Sequence, residues 1–486
     1  MLFIGIDLGT SSVKLLLTDE NGKILGSVSG SYPVNYPFPG WSEQSPEDWY
    51  TVTLDCIKKL TADCDKTQIK GLAVAGQMHG LVTLDKNGNV IRPAILWNDG
   101  RSEKQTRYLN DVIGRDTLTK YTGNIAFAGF TAPKILWMKE NEPELFEKID
   151  KILLPKDYLI YRLTGEFATD PSDASGTLYY DVKNRRWSKE MLNILGIDEK
   201  MLPTVHESFR EVGKLKAELC GLFGVSDVTV AAGAGDNAAA AVGCGAVGDG
   251  TCNLSLGTSG TLFLPSDEFK GDPNNALHAF AHADGGYHLM GCMLSAASCG
   301  KWWIEDILNT DDYFAEQELD KQNNVYFLPY LMGERSPHND AAARGVFFGL
   351  SADTSRKDMT TAVYEGVTFG LKDSLMAAQS DNVCPTQATI CGGGAKSAQW
   401  RQLCADILGI PVVRPEVEEG PAYGAAILAM VDVGVYPTVK DAAKKLVKFS
   451  APCVPNKDRA EYYNSKYATW KKLYPALKTL FPECVK

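Results

Sequence analysis

Four short segments contain the groups that could carry chemistry: Asp7 to Lys14, Gln77-Met78-His79-Gly80, Gly233-Ala234-Gly235-Asp236-Asn237 and Gly392-Gly393-Gly394-Ala395-Lys396-Ser397. Asp236 follows two glycines at the start of a predicted helix, where the helix dipole favours an ionised carboxylate. Beside a substrate hydroxyl, such a carboxylate can accept the proton during phosphoryl transfer. The same position also suits a plain helix N-cap, for which Asp is a preferred residue. The small neighbours leave room for a ligand to reach the backbone. His79 follows a predicted strand and reads either as a satisfied structural histidine or as a ligand contact. The 392–397 loop matches neither G-x-x-x-x-G-K-[ST] nor G-x-G-x-x-G. It says only that backbone comes close to something at a helix start, which suits a nucleotide phosphate or sugar.

The first segment has an echo. Leu-Gly-Thr-Ser stands at 8–11 and again at 256–259, close to half the chain further on. Each copy follows a largely apolar run and precedes another, Val13–Leu17 and Thr261–Leu264. That pattern is strand, tight turn, strand, twice. Two such hairpins facing each other can hold a polyphosphate through uncrowded backbone amides. Asp7 in the first copy corresponds to Ser255 in the second. A carboxylate needed only for hairpin shape is expected in both, whereas one linked to a metal is not.

The elements that must position these segments alternate. Ile69–Ala75 and Val228–Ala232 read as strands, and Thr389–Gly394 as a strand running into glycines. Helices are predicted at Pro46–Leu60 after Ser45, from Ala238, over Met359–Met376, from Ser397 to Leu408 and over Ala422–Val431. All four chemical segments then lie beyond the carboxyl ends of strands, where α/β sheets bind ligands. The class is α/β in both halves, with residues 1–247 and 248–486 as two domains packed across a cleft.

Composition agrees. The 486 residues are 44% apolar and 22% charged, which excludes a disordered or collagen-like chain. The length exceeds one core. A net charge of −11 argues against nucleic acid or an anionic membrane as partner. No apolar run reaches a membrane span, and the N-terminus has no signal-peptide pattern. The 12 Cys form no C-x-x-C and read as buried thiols in a reducing cytoplasm. His278 and His282 share helical spacing, but the intervening Ala-Phe-Ala reads equally well as a strand and no further ligand accompanies them, so packed or polar-surface histidines are expected rather than a metal site.

Taken together, these segments resemble the FGGY carbohydrate kinases, within the actin-like ATPase superfamily. The resemblance covers essentially the whole chain. It is carried by Ile4 to Ser11, Trp41-Ser42-Glu43-Gln44, Ala75 to Gly80, Ile95 to Arg101, Phe130 to Lys134, Leu154 to Tyr158, Gly235 to Ala239, Leu254 to Gly260, Phe327 to Tyr330 and Gly392 to Ala395, in that order. Within the family, the chain is most similar to members that act on D-xylulose. The resemblance implies two actin-like (ribonuclease H-like) domains with ATP between them, and transfer of its γ-phosphoryl group to a ketopentose. Carried over by position, Asp236 is the base and Asp7 organises Mg²⁺ through water. Thr10, Ser11 and Thr258 flank the phosphates. Met78, His79 and Asn237 contact the sugar together with Asp236, and Gly393, Gly394 and Ala395 face the adenosine. A homodimer is expected from relatives. The alternatives are a kinase for another ketose or polyol, such as ribulose or glycerol, and a non-enzymatic ATP-binding module.

Overall fold

A computed structural model describes residues 1–312 and 322–485. Two mixed sheets form its centre, and they share one plan. In the first, β1 (Leu2–Leu8), β2 (Ser12–Asp19) and β3 (Ile24–Ser31) make an antiparallel meander. Parallel to β1 lies β4 (Ile69–Gly76), and antiparallel β5 (Glu211–Lys214) flanks β6 (Thr229–Ala231), which runs parallel to β4. The second sheet repeats this with β7 (Thr251–Leu256), β8 (Gly260–Ser266), β9 (His278–Ala281), β10 (Tyr287–Met293), β11 (Gln387–Cys391) and β12 (Val412–Val413). Here β7, β8 and β10 form the meander, and β11 and β12 are the parallel strands. The internal echo in the sequence is therefore a repeat of architecture, and the fold is the expected two-fold α/β arrangement.

The copies differ in one detail. In the first hairpin Leu8 pairs with Val13, but in the second Leu256 pairs with Gly260. The second turn is thus one residue tighter, although the four-residue motif is identical.

β1 is buried on both faces, so it reads as a continuous apolar run rather than an alternating one. Ile4, Ile6 and Leu8 share a core with Trp49 of α1 (Pro46–Leu60) and Tyr158 of α2 (Pro155–Thr164). Phe3 points the other way, into a core shared with Ala239 of α3 (Asp236–Gly243) and Ile427 of α6 (Gly420–Asp432). Between these come α4 (Arg356–Ser380) and α5 (Ala398–Leu408), which cover the second sheet. α4 begins three residues before the predicted start, because Ser355 and Asp358 form a reciprocal capping box.

α6 follows the second sheet in the chain yet packs on the first one and on α3. The contact is made backbone to backbone. A Cβ on Gly424 would lie 1.8 Å from the carbonyl oxygen of Ala239, so only glycine permits this crossing.

Candidate active site

The two hairpin tips are held by their carbonyls. Gln44 donates its side-chain amide to the Thr10 carbonyl at 2.5 Å, and the Tyr32 hydroxyl donates to the Gly9 carbonyl at 2.6 Å. In the second copy, the Thr258 carbonyl accepts from the Ala296 amide at 3.0 Å and the Ser298 hydroxyl at 2.7 Å. Fixing the carbonyls away from the tip leaves the tip amides to face an anion. Ser11 is exposed at the first tip and Thr258 at the second.

Asp236 is the first residue of α3, and Gly235 occupies the cap position before it. The side chain therefore does not serve as the cap that the sequence left open. Its Oδ1 accepts from the backbone amide of Asn237 at 2.7 Å and from the Asn237 side chain at 3.0 Å. Enclosure by protein raises its pKa from 3.8 to about 6, with the Asn237 bonds opposing the rise. At neutral pH it is mostly ionised and still a competent proton acceptor.

A buried network fixes the segment in front of it. The Ser172 hydroxyl accepts from the Gly235 amide at 3.1 Å and donates to Asp170 at 2.5 Å. Ser208 donates to the same Asp170 oxygen at 2.7 Å. Lys156 lies 3.2 Å from Asp170 and 2.9 Å from Asp157, and donates to the Ala232 carbonyl at 3.1 Å. The backbone from 232 to 235 is thus gripped on both sides. These partners come from distant segments, and no local signal in the sequence links them to Asp236.

His79 has φ +70°, a left-handed conformation that is uncommon for a side chain bearing a ring. Its carbonyl is held by Lys134 at 2.8 Å and Thr131 at 3.1 Å, which over-determines the strained backbone. Burial drives the imidazole pKa down to about 3, so the ring is neutral. Nδ1 lies 2.8 Å from the Gly176 carbonyl and must carry the proton, which leaves Nε2 as an acceptor. The ring stacks on Phe130 with centroids 4.7 Å apart.

Two cavities meet at the second hairpin. One, of about 630 Å³, is lined by Met78, His79, Asp236, Asn237 and Thr258 among others. The other, of about 640 Å³, is lined by Thr258, Gly393 and Gly394, with Lys301, Lys396 and Trp400. Thr258 belongs to both walls. Of the predicted residues, Met78, His79, Asp236, Asn237 and Thr258 meet at the first cavity and Thr258, Gly393 and Gly394 at the second, whereas Asp7, Thr10, Ser11 and Ala395 line neither. Ala395 is fully buried in the core of the second half and lines neither cavity, because the chain turns at Gly392 (φ +90°) and directs its methyl inward. The predicted strand here ends at Cys391 for the same reason. Thr10 lies behind the first cavity, linked to it by Trp97, whose indole N–H donates to the Thr10 hydroxyl at 2.9 Å. His278 is buried on β9 beside Phe127, the ring centroids 5.0 Å apart. Sequence reasoning missed Phe127 and Arg335 in the first cavity and Lys301 in the second.

Asp7 is nearly buried, and its pKa is lifted to about 7, first by burial and then by the charge of Asp236; Lys14 opposes this. Lys14 itself is paired with Glu419 of the second half. A buried carboxylate raised further by the charge of a second one makes a place where a cation is favourable. Among the described residues no group of three or more His, Cys, Asp or Glu is gathered for a metal. This donor set fits a cation that keeps most of its water and takes oxygens from phosphate.

Comparison with known proteins identifies the same architecture. Residues 2–243 match the N-terminal domain, and residues 252–433 the C-terminal domain, of the FGGY family of carbohydrate kinases. The chain is 41% identical over 485 residues to a xylulose kinase of Escherichia coli K12, covering 99% of this chain and 100% of that protein. A crystal structure described as a xyloylose kinase from Brucella ovis superposes with a TM-score of 0.93 at 40% identity, covering 99% of this chain and 100% of that one. A gluconate kinase from Lactobacillus acidophilus superposes with a TM-score of 0.94 at 28% identity, over 100% of this chain and 99% of the other.

Proposed function

The chain belongs to the FGGY family of carbohydrate kinases, and on that premise we propose that it transfers the γ-phosphoryl group of ATP to the 5-hydroxyl of D-xylulose. The products are D-xylulose 5-phosphate and ADP. The observation that carries this reading is Thr258, which lies in the shared wall of two cavities. One cavity holds an elevated carboxylate and a neutral histidine; the other is floored by a glycine-rich turn. Curated relatives at 35–43% identity, such as that of Escherichia coli K12, are xylulose kinases.

In this reading Asp236 takes the proton of the sugar hydroxyl as its oxygen bonds to the γ-phosphorus, while the bond from that phosphorus to the β–γ bridging oxygen breaks. His79 Nε2 accepts from a second sugar hydroxyl, and Asn237 and the Met78 segment orient the ring-opened chain. Amides at Thr10, Ser11 and Thr258 receive the phosphates, and Gly393 and Gly394 let the nucleoside approach the backbone. Mg²⁺, when bound through water at Asp7, supplies charge neutralisation on the phosphates. Catalysis is mainly positioning in a cleft that excludes water. Residues 1–247 serve the sugar and the base, and 248–486 serve the nucleotide. We place the enzyme in the cytoplasm, as a homodimer acting on small molecules. Within the described residues no helix is long and apolar enough to cross a membrane.

The decisive experiment is ADP release with a panel of D-xylulose, D-ribulose, glycerol and gluconate. The expected result is the highest kcat/KM for D-xylulose. A preference of tenfold or more for another member, roughly 1.4 kcal/mol of transition-state discrimination, would overturn the sugar assignment.

A further inference from the structure

The sugar cavity contains one cation without an ion pair among the described residues, its side chain sharing a hydrogen bond with the Cys292 thiol and sensing the charge of Glu334 beside it. Arg335 reaches it from the second half, and it is the sole Lys or Arg among the residues lining that cavity. No carboxylate lies within ion-pair distance of its guanidinium among the described residues. Its ring contact is Phe127 of the first half, with the guanidinium carbon 5.1 Å from the centroid.

The loop that presents Arg335 is built firmly. Ser336 donates its amide to the Cys292 carbonyl at 2.8 Å, and its hydroxyl accepts from the Cys292 amide at 3.0 Å. Glu334 Oε1 accepts from the Leu294 amide at 3.2 Å and from the Arg335 amide at 2.7 Å. On the far side, His338 stacks on Tyr474 with centroids 3.6 Å apart and meets the Tyr330 hydroxyl at 3.0 Å. The cation is therefore held toward the cavity by strand and loop together rather than left to wander on a surface.

A neutral polyol offers nothing that requires an unpaired guanidinium. Hydroxyls are served by neutral donors and acceptors, and His79 and Asn237 already supply these. A half-buried cation without an ion pair is costly unless an anion arrives. The nucleotide cavity has cations of its own in Lys301 and Lys396. The one anion that must enter the sugar cavity is the phosphoryl group as it leaves the nucleotide.

We propose that Arg335 is a catalytic residue that holds the oxygens of the phosphoryl group as it passes to the sugar, and then the phosphate of the product. Its planar fork matches a phosphate face. Because it comes from the opposite half to Asp236, it engages only when both walls of the cleft address the same ligand. This inference rests on the carbohydrate-kinase reading.

The test compares Arg335→Met and Arg335→Lys with the wild type, using the sugar that the wild type phosphorylates best. Three quantities are read: kcat, KM for the sugar, and the inhibition constant of the sugar phosphate. Arg335→Met is expected to lower kcat by about 100-fold or more and to weaken inhibition by the sugar phosphate by roughly 10- to 100-fold, as loss of a charge-assisted phosphate contact implies. KM for the sugar should stay within about threefold. Arg335→Lys, which preserves the charge and the fold, should lie between the two, and added guanidinium should partly restore Arg335→Met. A raised sugar KM with unchanged kcat and unchanged product inhibition would instead make Arg335 a sugar contact and overturn the proposal. So would wild-type values for both variants. If the wild type itself phosphorylates no sugar, the kinase reading fails, and this inference with it.

Discussion

Replacing Asp236 by Asn is expected to stop turnover and, at the same time, to make the ligand-free protein more stable at alkaline pH. The folded-state pKa of this carboxyl is raised from 3.8 to about 6. At 1.36 kcal/mol per pH unit, holding the ionised form in the fold costs about 3 kcal/mol. The sign follows from proton counting. Between the two values the folded state binds more protons than the unfolded one, so the wild type loses stability as pH rises through this window. The loss is complete above about pH 7 and about half developed at pH 5. Asn keeps the shape, carries no charge and retains an oxygen for the Asn237 amide. Asp7 adds to the effect, because the charge on Asp236 is one cause of its own elevated pKa. Urea unfolding followed by tryptophan fluorescence, with chelator and without ligands, should show Asp236→Asn ahead of wild type by about 2–3 kcal/mol at pH 8. The advantage should shrink to roughly half at pH 5. A variant no more stable than wild type at pH 8, or a difference that does not change between pH 5 and 8, would refute the claim that this site is strained by its charge.

Two further substitutions probe the scaffold. Ser172→Ala removes the acceptor for the Gly235 amide and leaves it buried, which should cost about 1–3 kcal/mol of stability. Because that amide precedes the base, kcat should fall while KM for the sugar changes little; steady-state kinetics would show otherwise if Ser172 only fills space. Gly424→Ala puts a methyl 1.8 Å from the Ala239 carbonyl oxygen and should destabilise by about 3 kcal/mol or more, read as a lowered calorimetric Tm. An unchanged Tm would mean that the α3–α6 crossing can open freely.

Much of this was legible in the residues. The Leu-Gly-Thr-Ser echo announced two hairpins, and the structure places each between the first two strands of its sheet. What the echo did not disclose is the tighter second turn, since pairing register depends on backbone contacts that identical motifs do not determine. The two readings of Asp236 were separated by a single backbone position, because Gly235 takes the cap. The inward methyl of Ala395 was hidden for a related reason: a run of small residues marks close approach but not which face of the turn meets the ligand. Asp170, Ser172 and Arg335 had no local signature at all, and the segment that holds Lys156 gave no sign of its contacts. Their roles arise from contacts between segments far apart in the chain, which spacing and periodicity do not encode.

The placement of α6 has a consequence for how the chain is made. The face of the first sheet that carries Phe3 and Ala73 is covered by residues beyond Gly420. During synthesis, the first 247 residues leave the ribosome with that face uncovered and wait for nearly two hundred more before it can be sealed. The N-terminal half is thus a folding intermediate by construction, with an apolar surface open to chaperones or to misassembly until roughly the last seventh of translation. A fragment cut at the boundary between the halves is expected to aggregate, whereas the same fragment supplied with residues 420–447 in trans has its missing wall restored.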